Sequence, residues 1–285
     1  MNIILEALKL PKSTYMYWQK KLDEENKNQE IEDKILMIFK ENRGNYGYRR
    51  ITAELRNSGY IVNHKKVQRI MRKLNLKCDS FTRKSRKFST FNGKVSLTAY
   101  NLINRRFFTS IPRQKITTDT SEFKYQYIND NGQICTGKLY LDPFMDLYNG
   151  EIISYSISKR SNANSIMSAL YEAISVTETC EFRRTFHSDQ GWAYHMKQYT
   201  DELRKNKIFQ SVSRKGNCLD NSPMESFFGT LKQEMFYGKV YKSFEQLEEA
   251  LHDYIRYYNN KRIKSKLGWM SPVDFLKKNN SLKII

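Results

Sequence analysis

The sequence predicts an α/β fold: a mixed β-sheet flanked by helices, preceded by a helical and strongly basic region. Three observations lead to it. From Lys115 onward, runs rich in β-branched and aromatic residues are separated by Asn- and Gly-containing turns and then alternate with segments of helical period. Before that point the apolar residues recur at helical spacing alone. Positive charge is also localised: residues 43–110 carry seventeen Lys and Arg against only Glu54 and Asp79, while residues 1–42 are near neutral.

In chain order, Ile31, Ile35, Ile38 and Phe39 mark a helix that NRGNYGYRR interrupts with two glycines; Ile51 and Leu55 mark the next, up to Gly59. Asn63 is placed to cap a third helix whose stripe is Val67, Ile70, Met71 and Leu74. His64, Lys65, Lys66, Arg69, Arg72 and Lys73 occupy its remaining surface. Short helices around a glycine-containing turn, the last of them basic, suggest a helix-turn-helix whose second helix enters a DNA groove, although many small bundles share the pattern. KCDSFTRKSRKFSTFNGK then has the composition of a linker.

KITTDTSEFKY, GKLYLDPFMDLY and EIISYSIS, separated by NDNGQ and YNG, predict three consecutive antiparallel strands. Asn164 to Val176 predicts a helix with Ile166, Ala169, Leu170, Ala173 and Ile174 on one face, and FRRTFHSD a short strand ending at a polar corner. A helix around His195 to Asn206, a strand around Ile208 to Val212 and a helix starting near Met224 complete the alternation. The expected division is an N-terminal helical segment (1–42), a helix-turn-helix region (43–78), a basic linker (79–110), an α/β core (111–260) and a basic C-terminal tail (261–285).

Composition narrows the function classes. With 285 residues, 39% of them hydrophobic, the chain is able to bury a core, and a net charge of +19 points to a polyanionic partner. No apolar run approaches the roughly 20 residues of a membrane span, and Glu6 and Lys9 break the only apolar stretch at the start, so no membrane partner is expected and an intracellular, cytoplasmic protein is. Cys78, Cys135, Cys180 and Cys218 are at least 38 residues apart, which predicts reduced, half-buried thiols rather than a zinc clip or a disulfide framework. His64, His187, His195 and His252 form no paired arrangement with them, which excludes a zinc module.

At the ends of such strands, side chains remote in sequence come together. Asp119 lies in the first strand, Asp189 follows the fourth, and Glu225 sits in the first turn of the helix SPMESFFGTLKQE. Three converging carboxylates with no cation among them make sense when a hard divalent ion such as Mg²⁺ neutralises them. Thirty acids allow many triplets, so spacing alone does not single these out.

In order along the chain, YGYRRITAEL, VNHKKVQRIMRKLNL, TTDTSEF, MDLYNGEIISYSIS, HSDQGWAY, SRKGNCLDNSPMESFFGTLKQEMFY and YNNKRIKSKLGWMSPVDF resemble the insertion-sequence transposases of the IS-three family over nearly the whole chain. The family's catalytic core is similar to retroviral integrases and ribonuclease H, and its DDE triad has thirty-five residues between the second Asp and the Glu, as Asp189 and Glu225 do here. The resemblance implies a ribonuclease H-like catalytic core and Asp119, Asp189 and Glu225 as metal ligands. It implies Mg²⁺ (or Mn²⁺) as cofactor, and DNA 3′-end cleavage followed by strand transfer on element ends and target DNA. It further implies a homo-oligomer on DNA and a partner, or fusion partner, encoded by an upstream frame. Beginning at Met1 without a heptad run, the chain is expected to be the downstream-frame product.

Other residues have two readings each. Lys232, two turns after Glu225, either holds a phosphate or is an exposed helical lysine. Asn217, Asp220 and Asn221 either position terminal DNA or build the loop before the Glu225 helix, where Gly216 permits a tight turn and Ser222 is placed to cap. His187 either donates a hydrogen bond behind Asp189 or packs at a strand end; Trp192 and Tyr194 either stack on an unpaired base or belong to the core. Asp142 and Asp146 are further acids near the site, the latter a candidate turn former. Arg256, Lys261, Arg262, Lys264 and Lys266 suggest a second backbone-binding surface. The competing functions are a DNA-binding regulator with an inert α/β domain, and a nuclease that hydrolyses without joining strands.

Overall fold

The computed structural model of the chain describes residues 5, 11–23, 26–78, 80, 99–214 and 217–281. Two compact units divide it, Met1–Cys78 and Asp79–Ile285. The first contains α1 (Lys12–Asp23), α2 (Gln29–Glu41), α3 (Tyr48–Asn57) and α4 (His64–Lys73). Ile35, Ile38, Ile51, Leu55, Val67, Ile70 and Met71 are buried there as the helical period predicts, while Ile31, Phe39 and Leu74 of the same stripes are half-buried and Tyr46, outside them, is buried. α3 stops because Gly59 adopts φ +90 and the Tyr60 amide returns to the Leu55 carbonyl, a left-handed cap that a side chain would strain. Asn63 then caps α4 by accepting from the Lys65 amide at 2.9 Å. Lys65, Arg69 and Arg72 are exposed on α4 and Lys66 is half-buried. The Lys73 amine is paired with the buried Glu32 at 2.8 Å.

The second unit is built on β1 (Lys115–Thr118), β2 (Ser121–Ile128), β3 (Ile134–Asp146), β4 (Ile152–Ser158), β5 (Thr185–Ser188) and β6 (Phe209–Val212). β1 and β2 are two halves of one strand: both run antiparallel to β3 in one continuous register, from Ile116↔Asp146 to Ile128↔Ile134. The gap between them, Asp119–Thr120, falls opposite Pro143 and Asp142, and proline has no N–H to give to the ladder. With the halves joined, β4, β3, β1/β2, β5 and β6 follow in that order across the sheet; the first two pairings are antiparallel and the last two parallel. This is the ribonuclease H-like mixed sheet.

Helices cover both faces. Ile116, Phe144 and Phe186 pack under α5 (Ala163–Thr177) and α6 (Lys197–Lys205), while Phe123, Leu141 and Met145 pack under α7 (Ser222–Leu231) and α8 (Phe244–Asn260). Neighbours Phe144 and Met145 belong to opposite faces, as strand alternation requires. From Leu141 to Asp146 every β3 residue is buried, as expected of a central strand.

Two expected surface segments are instead bound to this unit. Of the expected linker, residues 81–98 lie outside the described residues, but Ile103 is buried and the Leu102 and Ile103 amides donate to Ser211 Oγ on β6. The basic tail is corrected: apart from residues 282–285, which are not described, it forms a turn and a helix, α9 (Pro272–Ser281), with Ile263 and Leu267 buried and Phe275 against Tyr148. Its basic residues divide. Arg262 makes a buried bidentate pair with Glu234 at 2.7–3.0 Å, which Tyr254 supplements through its hydroxyl. Lys264 donates to the Gly150 carbonyl and the Tyr258 hydroxyl, so neither belongs to a DNA-facing surface; Arg256, Lys261 and Lys266 remain exposed. Among the described residues no helix is long and apolar enough to cross a membrane.

Removing one partner of a buried ion pair leaves an uncompensated charge, so Glu234→Gln should lower the unfolding free energy by ~3–5 kcal/mol in urea titrations. Glu234→Leu combined with Arg262→Met should recover most of that loss. A single variant as stable as the wild type would show that the pair does not hold the C-terminal segment.

Candidate active site

Strand register brings the first two carboxylates together. β1 and β5 are parallel neighbours with Thr117 opposite His187, and Asp119 and Asp189 each lie two residues further on. They therefore leave the carboxyl ends of adjacent strands, about 4.8 Å apart, at the same level. Each is locally tethered: the Thr120 amide donates to Asp119 Oδ1 and the Gly191 amide to Asp189 Oδ1, both at 2.8 Å.

Glu225 arrives on α7, whose start is fastened to β1 by Asn221. Its side-chain oxygen accepts from the Thr117 hydroxyl at 2.6 Å and its nitrogen donates to the Thr118 carbonyl at 3.0 Å. Glu225 lies one helical turn further on. Asn221 is thus buried, with its amide committed to the two residues ahead of Asp119, and it occupies the cap position expected of Ser222, which is the first helical residue. Lys215, Gly216 and the side chain of Cys218 lie outside the described residues; Cys78, Cys135 and Cys180 are half-buried free thiols.

The electrostatics register this convergence. Asp119 is pushed well above the ordinary carboxylate range, first by burial and then by the charge of Asp189, with Glu225 and Asp142 adding to it. Asp189 is raised by burial, against the Gly191 amide and His195. Among the described residues no three His, Cys, Asp or Glu side chains are already close enough to enclose an ion, and Glu225 points into solvent. Asp119 and Asp189 end adjacent strands, and Glu225 stands exposed on the first turn of α7. All donors are carboxylate oxygens, and their mutual repulsion is what a hard divalent cation relieves, so the residues fit such an ion.

Lys232 is half-buried, not an exposed helical lysine. α7 ends at Leu231 and a widened turn, Lys232–Phe236, sets its amine 5.0 Å from the Phe123 ring centre. Burial lowers its pKa, while Asp119 and Glu122 pull it back up, which places the amine within electrostatic reach of the site. His187 takes the strand-end reading. It is buried, its Nε2 donates to the Asp220 carbonyl, and Nδ1 therefore accepts from Ser211 Oγ. Tyr194 is core, against Tyr199, and Trp192 is 53% exposed. Asp146 is the turn former, its carboxylate accepting from the Arg113 and Tyr148 amides. Sequence reasoning did not find the fastening role of Asn221; the signal was an asparagine directly before a helix that starts with Ser-Pro.

Comparison with known proteins agrees with this architecture. The HTH-like domain family matches residues 25–85, and the integrase core domain family matches residues 109–218 and, through a second description of the same core, 225–282. The chain is 41% identical over 275 residues to the putative transposase InsK for insertion sequence element IS150 of Escherichia coli (strain K12), covering 96% of this chain and 93% of that one. It is 47% identical over 214 residues to an uncharacterized transposase-like protein of Haemophilus influenzae, covering 75% and 93%. The catalytic core domain of HTLV-2 integrase superimposes on 58% of this chain and 97% of that one with TM-score 0.42 and 16% identity, a likeness too distant to bear on function. The chain belongs to the insertion-sequence transposases of the IS-three family, and it is a DNA transposase.

Burial pushes the Asp142 carboxyl, bonded to Thr120 and Ser156, from 3.8 up to about 6. A carboxyl with a raised folded pKa contributes stability that is complete below its unfolded value and lost as the pH rises through the folded one. His187, lowered by burial, works in the opposite sense, so the group is best isolated by difference. In chelator, Asp142→Asn and wild type should be equally stable near pH 4, and the variant should gain up to ~3 kcal/mol by pH 8. A difference independent of pH, measured by denaturant unfolding, would refute this environment for Asp142.

Proposed function

We propose that Asp119, Asp189 and Glu225 hold divalent metal, Mg²⁺ with Mn²⁺ able to substitute, and that this one site performs both chemical steps of transposition. The first hydrolyses a phosphodiester at the element's end and exposes a 3′-hydroxyl; the second joins that hydroxyl to a phosphodiester of target DNA. The observation that carries this reading is the register of β1 and β5, which ends the strands bearing Asp119 and Asp189 at one level, while Asn221 fastens the start of the helix that carries Glu225 to β1. When bound, the cation would supply Lewis acidity at the phosphoryl group and offset the charge of the three acids.

The residues of the chain do the positioning. Asp119 and Asp189 are held by the sheet, and Glu225, exposed at the first turn of α7, closes toward them as substrate docks. Lys232 places a cation near Asp119, where it would balance an incoming phosphate. No serine or cysteine nucleophile is required, because in-line phosphoryl transfer depends on alignment and charge neutralisation. Exchanging water for a 3′-hydroxyl changes the product and leaves the site unaltered.

DNA is the partner that suits the basic first unit. Lys65, Lys66, Arg69 and Arg72 on α4 would contact its backbone, Lys73 less directly because Glu32 occupies its amine, and Asn217 would approach it from the loop before α7. Asn221 would act by positioning α7 and not by touching DNA. Such a chain would work in the bacterial cytoplasm on the chromosome, as a multimer on DNA and together with the upstream-frame product.

Labelled element ends incubated with the chain, alone and fused to the upstream product, test this in Mg²⁺ and Mn²⁺. Glu225→Gln should still bind the ends but lose both cutting and joining by at least ~100-fold. A Glu225→Gln variant that cuts would remove Glu225 from the chemistry, and wild type that cuts without ever joining would identify a nuclease.

A further inference from the structure

The loop between β6 and α7 holds a charge cluster that the reactions above do not use. Asp220 is fully buried, and its carboxylate is saturated. Oδ1 accepts from Arg105 Nε and Arg214 Nη2, both at 2.9 Å. Oδ2 accepts from Asn101 Nδ2 at 2.9 Å, Arg214 Nε at 2.8 Å and the Arg214 amide at 3.1 Å. Its carbonyl takes the proton of His187 Nε2 at 2.8 Å, tying the acid to β5. Arg105 also donates through Nη2 to Asn217 at 3.1 Å.

Two guanidinium planes from distant parts of the chain are therefore fixed against one acid. Their side chains remain 45% and 54% exposed while the acid is at 0%. On neither arginine does Nη1 have a partner among the described residues. A brace that served folding alone would be complete with Arg214, Asn101 and the backbone amide; Arg105 adds a second cation, so the cluster carries one surplus positive charge. Planar donors with their entropy already lost match an oxyanion with several acceptor oxygens, and a phosphate is the group a guanidinium fork fits. Asp220 lies five residues ahead of Glu225, and the next residue, Asn221, fastens α7 to β1.

We propose that Arg105 and Arg214, braced on Asp220, form a binding site for a backbone phosphate of the DNA that enters the carboxylate site. This rests on the reading that those carboxylates act on DNA. Lysine cannot replace either arginine, because charge without the fixed fork is not what the site offers. Asp220 is a positioning residue that strengthens the site although it carries the opposite charge to its neighbours.

The test is fluorescence anisotropy of a fluorescein-labelled 30-base-pair duplex with the full chain in chelator, over a salt series. Arg105→Ala and Arg214→Ala should each weaken binding about 5–10-fold and reduce the slope of log K against log salt by about 1. Asp220→Asn, which raises the positive charge but frees both forks, should also weaken binding; a gain would mean that Asp220 masks the arginines and would overturn the proposal. Should that buried variant not fold, Arg105→Lys decides. Binding nearly as weak as that of Arg105→Ala supports the braced fork, and wild-type binding overturns it. Cutting by Glu225→Gln would sink the carboxylate reading by itself, whereas arginine variants that bind like wild type while Glu225→Gln is inert would sink only the phosphate site.

Discussion

Two carboxylates held at one level on adjacent parallel strands repel each other, and that repulsion is built into the backbone. Thr117 faces His187 in the ladder, so Asp119 and Asp189 are not free to separate without breaking the pairing of β1 with β5. Burial is the larger part of the penalty and the charge of Asp189 adds to it, and together they hold the Asp119 carboxyl well above the ordinary carboxylate range. The ladder gives way at this point and nowhere else along β1 and β2: Pro143 and Asp142 stand opposite Asp119 and Thr120, so the strand is interrupted where the acid must turn its side chain out of the sheet. A site under this much internal strain must be held by its surroundings.

Those surroundings are a layer of paired polar groups beneath the acids. Asn221 joins α7 to Thr117 and Thr118; His187 joins β5 to Ser211 on β6 and to the Asp220 carbonyl; Ser211 in turn receives the amides of Leu102 and Ile103. In a low-dielectric interior such a network is stabilising when its members are satisfied and costly when they are not. Thr118 Oγ1, one residue before Asp119, is the exception, buried with no partner among the described residues. The same layer ties the segment that enters the unit, around residue 102, to the loop that leaves β6.

What was legible in the sequence follows from what is local. Strands β1 to β4, helix α5 and the cap of α4 were readable because period, turn residues and capping asparagines act over a few residues. The three acids were singled out by the order of motifs along the chain, since charge and spacing alone did not select them. What was not legible depends on distant partners. Asp220 and Asn221 stayed open between DNA contacts and loop building because nothing nearby in sequence shows that Arg105, His187 and Thr117 will enclose them. Arg262 and Lys264 read as a basic surface because charge density does not reveal that Glu234 and the Gly150 carbonyl wait inside. Lys232 was placed by extending an ideal helix past Leu231, and the widened turn there alters its direction. α8 does carry a signal, Leu247, Leu251, Tyr254, Ile255 and Tyr258 at helical spacing, which overlaps the cation-dense stretch from Arg256 to Lys266.

A net charge of +19 therefore overstates what the molecule presents to a polyanion, because several cations are already committed: Lys73 to Glu32, Arg262 to Glu234, Lys264 to a carbonyl and a tyrosine. The distinction that matters for a nucleic-acid enzyme is between mobile and braced cations. An exposed lysine on α4 gives counterion release and little direction, which suits capture of any duplex. A guanidinium locked on a buried acid contributes less net charge but a fixed donor direction, and direction is what a reaction needs when attacking and leaving oxygens must lie in line across one phosphorus. Under the proposed function the exposed cations of α4 would serve capture and the two guanidinium groups braced on Asp220 would serve alignment, so how the arginines and lysines are held matters more than how many there are.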